Sequence, residues 1–141
     1  MATRCSRLRA RARANRAGNL AQAERLYRDM LRADARNFSA LHMLGFLKAQ
    51  LGQFDEAIAL MSKALKANPG DLGALTNYAH ALMAAQRQNE ALAAYDRILA
   101  ARPDHIEALY NRGVILSEHR RFTEALASFD RALMLKPDAA A

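Results

Sequence analysis

The sequence holds a single cysteine, Cys5, no tryptophan and three prolines in 141 residues, and only 6% of it is aromatic. One cysteine excludes an intramolecular disulfide and a cysteine-based metal site, and it fits a reducing compartment, so the cytoplasm is the expected location. No stretch approaches the roughly 20 apolar residues that span a bilayer, and the N-terminus lacks the apolar run of a secretory signal. A soluble chain with no membrane partner is expected. The abundant residues are Ala and Leu, which lose least on entering a helix.

Acidic residues are missing before Glu24, and this makes the net charge of +7 a local property. Residues 1–37 carry ten arginines against Glu24, Asp29 and Asp34, whereas residues 38–141 carry eleven basic and eleven acidic side chains. A neutral body gives no general affinity for nucleic acid, so such a partner is not expected of the fold as a whole. The arginines of residues 4–16 alternate with Ala and Leu, which spreads charge around a helix and makes no membrane-binding face. The plain reading of this segment is a solvated terminal helix. The alternatives are contact with an anionic partner and a targeting segment.

Pro69, Pro103 and Pro137 stand 34 residues apart, and the same interval superimposes Ala57, Ala91 and Ala125 as well as Glu56, Glu90 and Glu124. Residues 72–105 match residues 106–139 at 14 of 34 positions, against about two or three by chance for ordinary composition. Within a unit, Leu41, Leu44, Leu47 and Leu51, then Ile58, Met61 and Leu65, recur at spacings of three and four, which is helical periodicity broken once in the middle. Each unit is therefore a helical hairpin. Gly18 and Gly52 mark the mid-unit turn, with Gln86 and Arg120 in the same column later. The prolines end the second helix, and Asp71 and Asp104 are placed to cap the helices that follow.

These columns resemble the tetratricopeptide repeat family. They read Leu41, Gly45, Ala57, Met61, Ala64, Pro69; then Leu75, Ala79, Ala91, Tyr95, Ile98, Pro103; then Leu109, Gly113, Ala125, Phe129, Ala132, Pro137. Leu replaces the family's opening aromatic, and Arg112 stands where Leu44 and Tyr78 lead one to expect an apolar residue. The resemblance implies an all-α solenoid of antiparallel helix hairpins, with full repeats at 38–71, 72–105 and 106–139. Gln22, Ala23, Tyr27, Met30 and Leu31 make residues 20–35 the second helix of an earlier, degenerate repeat, so that the repeat domain covers 20–137. The Arg-rich residues 1–19 would supply its first helix, with Arg7, Ala10 and Arg11 where the pattern asks for apolar and small residues.

In such a superhelix the first helices line a concave face. The inward columns are His42, Met43, Phe46 and Gln50; Thr76, Asn77, His80 and Met83; Tyr110, Asn111, Val114 and Ser117. Mixed amides and soft apolar groups suit a peptide or partner protein, which points to a scaffold or adaptor. Asn77 and Asn111 share a column and resemble the asparagine ladder in the repeat region of O-linked N-acetylglucosamine transferases. That likeness implies an alternative role: substrate capture for a glycosyltransferase whose catalytic domain lies outside this chain. Met43 and Arg9 hold the preceding rungs. The family's carboxylate clamp is not expected, since His42, Phe46 and Glu107 replace the cationic and amide residues it needs.

Arg9 and Arg16 fall on inward columns if the first unit forms, where they would favour an acidic ligand. His42, His80, His105 and His119 occupy four different columns, so neither a metal site nor a catalytic base is read from them. No nucleophile elbow or phosphate-binding loop occurs, and no enzyme activity or cofactor is expected. Tyr95 and Phe129 read as core filler. The last helix, with Leu126, Phe129 and Leu133, lacks the polar cover that ends a solenoid. Two explanations fit it: docking on a second copy or another protein, or a reading frame that continues.

Overall fold

Asn37, Asp71 and His105 stand one period apart, and each side chain accepts a hydrogen bond from the backbone N–H three residues on: Ala40 at 3.1 Å, Ala74 at 2.9 Å and Ala108 at 3.1 Å. These caps satisfy amides that the first helical turn would otherwise leave unpaired. The computed structural model describes residues 4–136, and among residues 4–17 the side chain of Arg7 alone. A first helix, α1 (Arg4–Ala33), is followed by three hairpins. They are α2 (Phe38–Gln50) with α3 (Phe54–Ala67), α4 (Leu72–Ala84) with α5 (Gln88–Ala101), and α6 (Ile106–Glu118) with α7 (Phe122–Leu135). The described residues contain no strand, and none of their helices is long and apolar enough to cross a membrane.

Asp104 was the expected cap of α6, but the bond is made one residue later by His105 Nδ1, and Asp104 lies 3.8 Å from Arg102 instead. The mid-unit turn behaves as the columns suggest. Gly52, Gln86 and Arg120 all have positive φ, at 77°, 63° and 60°. Only the first of the three is glycine, so the other two hold the left-handed region at a cost of about 1–2 kcal/mol each. α3 and α5 stop two residues before Pro69 and Pro103, as a ring without an N–H requires. Pro137 lies outside the described residues.

Each helix packs on the next along the chain, and α2 also touches α4, so the core is a continuous strip. Ala57, Ala79 and Ala91 are fully buried. A Cβ added at Gly45 would stand 2.8 Å from Met61 Cγ, and one at Gly113 would stand 2.7 Å from Phe129 Cε1. Small residues are therefore what lets the two helices of a hairpin meet, with Met61, Tyr95 and Phe129 filling the space beside them. Arg112 is explained by its neighbours: Nε binds Asp96 at 2.7 Å and Nη1 donates to the buried Ser128 hydroxyl at 2.7 Å.

α1 differs from the expected hairpin. It runs through Gly18 without a turn, and Gly18 is not among the positive-φ residues. Folding residues 4–17 back would put Arg7 and Arg11 into the columns of the buried Leu41 and Gly45, and unpaired buried charge is costly. The helix continues straight, leaving Leu26 63% exposed. Its second half is fixed to the first full hairpin by a closed ring of charge. Glu24 meets Lys48 at 2.7 Å and Arg28 at 3.0 Å, and Glu56 meets Arg28 at 3.1 Å and Lys48 at 3.5 Å. Lys48 is buried, and it also donates to Gln53 at 3.0 Å.

Two predictions follow from this packing. Ala91→Leu overfills the hairpin and should lower stability by about 1–3 kcal/mol in denaturant titration; an unchanged midpoint would refute the close approach. Hydrogen bonding from Lys48, then from Arg28, holds the Glu24 carboxyl below its ordinary value of 4.5. That contribution is complete above pH ~4.5 and is lost as the pH falls further through the depressed value. Hydrogen exchange of α1 should therefore accelerate relative to α4 between about pH 5 and 3, and Lys48→Met should remove that step.

Candidate peptide-binding face

The columns expected to face a ligand are carried by α2, α4 and α6, and burial sorts them. Met43, Phe46, Gln50 and Tyr110 are exposed, while His42, Thr76, Asn77, His80, Met83, Asn111, Val114 and Ser117 are half-buried. The polar members are largely engaged within the solenoid. Asn77 Nδ2 lies 2.9 Å from His42 Nε2, joining α4 to α2 across two units. Asn111 Nδ2 donates to the Tyr95 hydroxyl at 3.1 Å, joining α6 to α5. The Thr76 hydroxyl donates to the carbonyl of Leu72 at 2.7 Å.

His80, Met83 and Asn111 come together, with Ala84 and Glu107, around a cavity of about 340 Å³ between α4 and α6. Tyr95 lies against this group: its ring centroid is 6.1 Å from that of His80, and its hydroxyl is 3.9 Å from Met83 Sδ. His80 Nε2 is 3.1 Å from Glu107 Oε1, close enough for charge contact, yet this buried nitrogen has no aligned hydrogen bond. Tyr110 belongs to a different cavity, of about 710 Å³, with Ile106, Glu107, Phe129, Ala132, Leu133 and Lys136. The side chains of Arg9 and Arg16 lie outside the described residues.

Sequence columns missed Ala84 and Tyr95 as members of this neighbourhood, and they set Glu107 on an inward column without joining it to His80. The signal was present but lay between units: His80 and Glu107 are 27 residues apart, and a column groups only residues 34 apart. Chemically the cavity holds an imidazole, a carboxylate, an amide and a thioether, which bind by hydrogen bonding and soft apolar contact. No group of three metal-binding side chains occurs among the described residues.

Burial pushes the Tyr95 phenol well above its ordinary value of 10.0, and the hydrogen bond from Asn111 opposes this only in part. The native state thus favours the neutral phenol, so the stabilisation is complete below pH 10 and is lost as the pH rises beyond it. The denaturant midpoint should fall as the pH rises above about 10, and Tyr95→Phe should fall less steeply over that range. Parallel curves for the two proteins would show that Tyr95 is not held neutral.

A sequence profile described as a tetratricopeptide repeat matches residues 14–63 and 48–112, and a second of the same description matches 106–139. No curated protein matches the chain. Among solved structures, MamA from Desulfovibrio magneticus is 23% identical with a TM-score of 0.79, over 89% of this chain and 71% of that one. YrrB, described as having an unusual peptide-binding site, is 26% identical with a TM-score of 0.79, over 88% and 64%. A repeat protein from Parabacteroides merdae is 26% identical with a TM-score of 0.81, over 87% and 49%.

Proposed function

Because the chain belongs to the tetratricopeptide repeat family, we propose that it is a scaffold that holds an extended peptide or a segment of a partner protein against α2, α4 and α6. The observation that carries this reading is the cavity between α4 and α6, where His80, Met83, Ala84, Glu107 and Asn111 converge. Asn77 and Asn111 commit their amide nitrogens inward, so their carbonyl oxygens are the atoms left to accept from peptide N–H groups. Exposed Met43 and Phe46 extend the face along α2 and give apolar side chains a surface to lie on. The likeness to YrrB, a protein described as binding peptide, supports the same reading.

The glycosyltransferase alternative rests on a ladder of free amides. Here each ladder residue is tied to a neighbouring helix, and Met43 takes the preceding rung, so the scaffold reading is preferred.

Peptides selected from a random display library on the intact protein test this assignment. Ala84→Arg introduces a large cation at an exposed position lining the cavity. It should weaken the selected peptides by about tenfold or more, roughly 1.4 kcal/mol, while leaving thermal stability unchanged. Peptides that bind both proteins equally would place the binding surface elsewhere.

A further inference from the structure

The face shared by α2, α4 and α6 has a sign. These three helices carry two cations, Lys48 and Arg112, and acidic residues of neighbouring helices engage both. Lys48 is buried against Glu24 and Glu56, and Arg112 binds Asp96 and Ser128. α4 has no Asp, Glu, Lys or Arg, and neither does α2 apart from Lys48. The carboxylates of the three helices are Glu107 and Glu118, both on α6. Glu118 accepts from Gln88 of α5, whereas Glu107 lines the cavity between α4 and α6 with its side chain 58% exposed. That exposure belongs to the column and not to the place of α6 in the solenoid, since Gly73 and Ser39, one and two periods earlier, are exposed as well. Lys136 lines the adjoining cavity with Glu107 but makes no ion pair with it.

The polar atoms that remain around the cavity accept hydrogen bonds. Asn111 commits its amide nitrogen to the Tyr95 hydroxyl, which leaves Oδ1 as an acceptor. His80 Nε2 stands 3.1 Å from Glu107 Oε1 and so engages one carboxylate oxygen, leaving Oε2 to a ligand. A guanidinium donates from every nitrogen, accepts nothing, and is less strongly hydrated than an ammonium. Its planar fork suits a carboxylate beside an amide oxygen, and its methylene stem suits Met83 and Ala84. An acidic side chain would meet like charge there. The sequence columns suggest an acidic ligand through Arg9 and Arg16; the described part of the face favours the opposite charge. We propose that this cavity is a subsite for an arginine side chain of the bound peptide, with Glu107 as its counter-charge and Asn111 as a second acceptor. The assignment rests on the scaffold reading and names the ligand chemistry that reading leaves open.

A random peptide display library is selected on the intact protein and, in parallel, on Glu107→Gln. Arginine should be enriched at one position of the peptides taken by the intact protein and not in those taken by the variant. A labelled peptide from the first selection, followed by fluorescence anisotropy, should bind Glu107→Gln about tenfold more weakly. Replacing its arginine with glutamine should weaken binding to the intact protein by a similar factor and to the variant by little more, because both changes remove the same pair. Ala84→Glu should bind the peptide more tightly than Ala84→Gln, which separates charge from bulk at this exposed position. Peptides that are lost with Ala84→Arg yet lack the arginine, or that bind Glu107→Gln equally, would overturn the subsite and leave the scaffold reading in place. Peptides indifferent to Ala84→Arg, or a library without binders, would overturn both.

Discussion

The rest of this structure depends on how closely the two helices of a hairpin approach. At Gly45 and Gly113 the opposing side chains already stand where a Cβ would put its neighbour within 3 Å, and Ala79 and Ala91 are fully buried in the middle hairpin. Interiors packed to crystal-like density leave no slack for a longer side chain at such points. Once that spacing is set, each hairpin has one way to meet the next, and the face shared by α2, α4 and α6 follows as a repeated geometric consequence. The columns that look most conspicuous in the sequence therefore build the scaffold, and they say little about what it holds.

Much of the fold was legible because a repeated constraint is written more than once. Ala57, Ala91 and Ala125 mark the close approach, Pro69 and Pro103 mark the helix ends, and the left-handed residue falls at Gly52, Gln86 and Arg120, in the same column each time. Features made once were not legible. Arg112 broke the apolar column, and only the structure supplies its partners, Asp96 and Ser128, both sixteen residues away. The capping role passed from Asp104 to His105 because the period fixes the position of the cap and leaves the residue type open. Gly18 suggested a turn, but a glycine permits a turn without requiring one, and the arginines around it remove the reason for folding back.

The candidate site was legible in the same uneven way. Columns put His80, Met83 and Asn111 on one face, and the structure gathers them around one cavity. What columns cannot express is a bond between different positions of adjacent units. Asn77 with His42, and Asn111 with Tyr95, turn an apparent row of free amides into ties between helices. These ties give the face its shape, since a buried polar group that finds a partner fixes geometry as well as satisfying its own hydrogen bonds.

The two ends of the described solenoid differ in their physics, one tied by charge and the other apolar and exposed. At the front, Lys48 is buried among Glu24, Glu56 and Gln53, so that α1 is held by charges with specific partners. At the back, Leu126, Leu133 and Met134 offer apolar area with no charge pattern to match. Exposed parts of the charged joint are screened by salt and weaken in acid, while apolar burial is insensitive to acid, is strengthened by kosmotropic salts and fades on cooling. The joint between α1 and the first full hairpin is therefore the one that acid loosens first, before the apolar joints between the later hairpins.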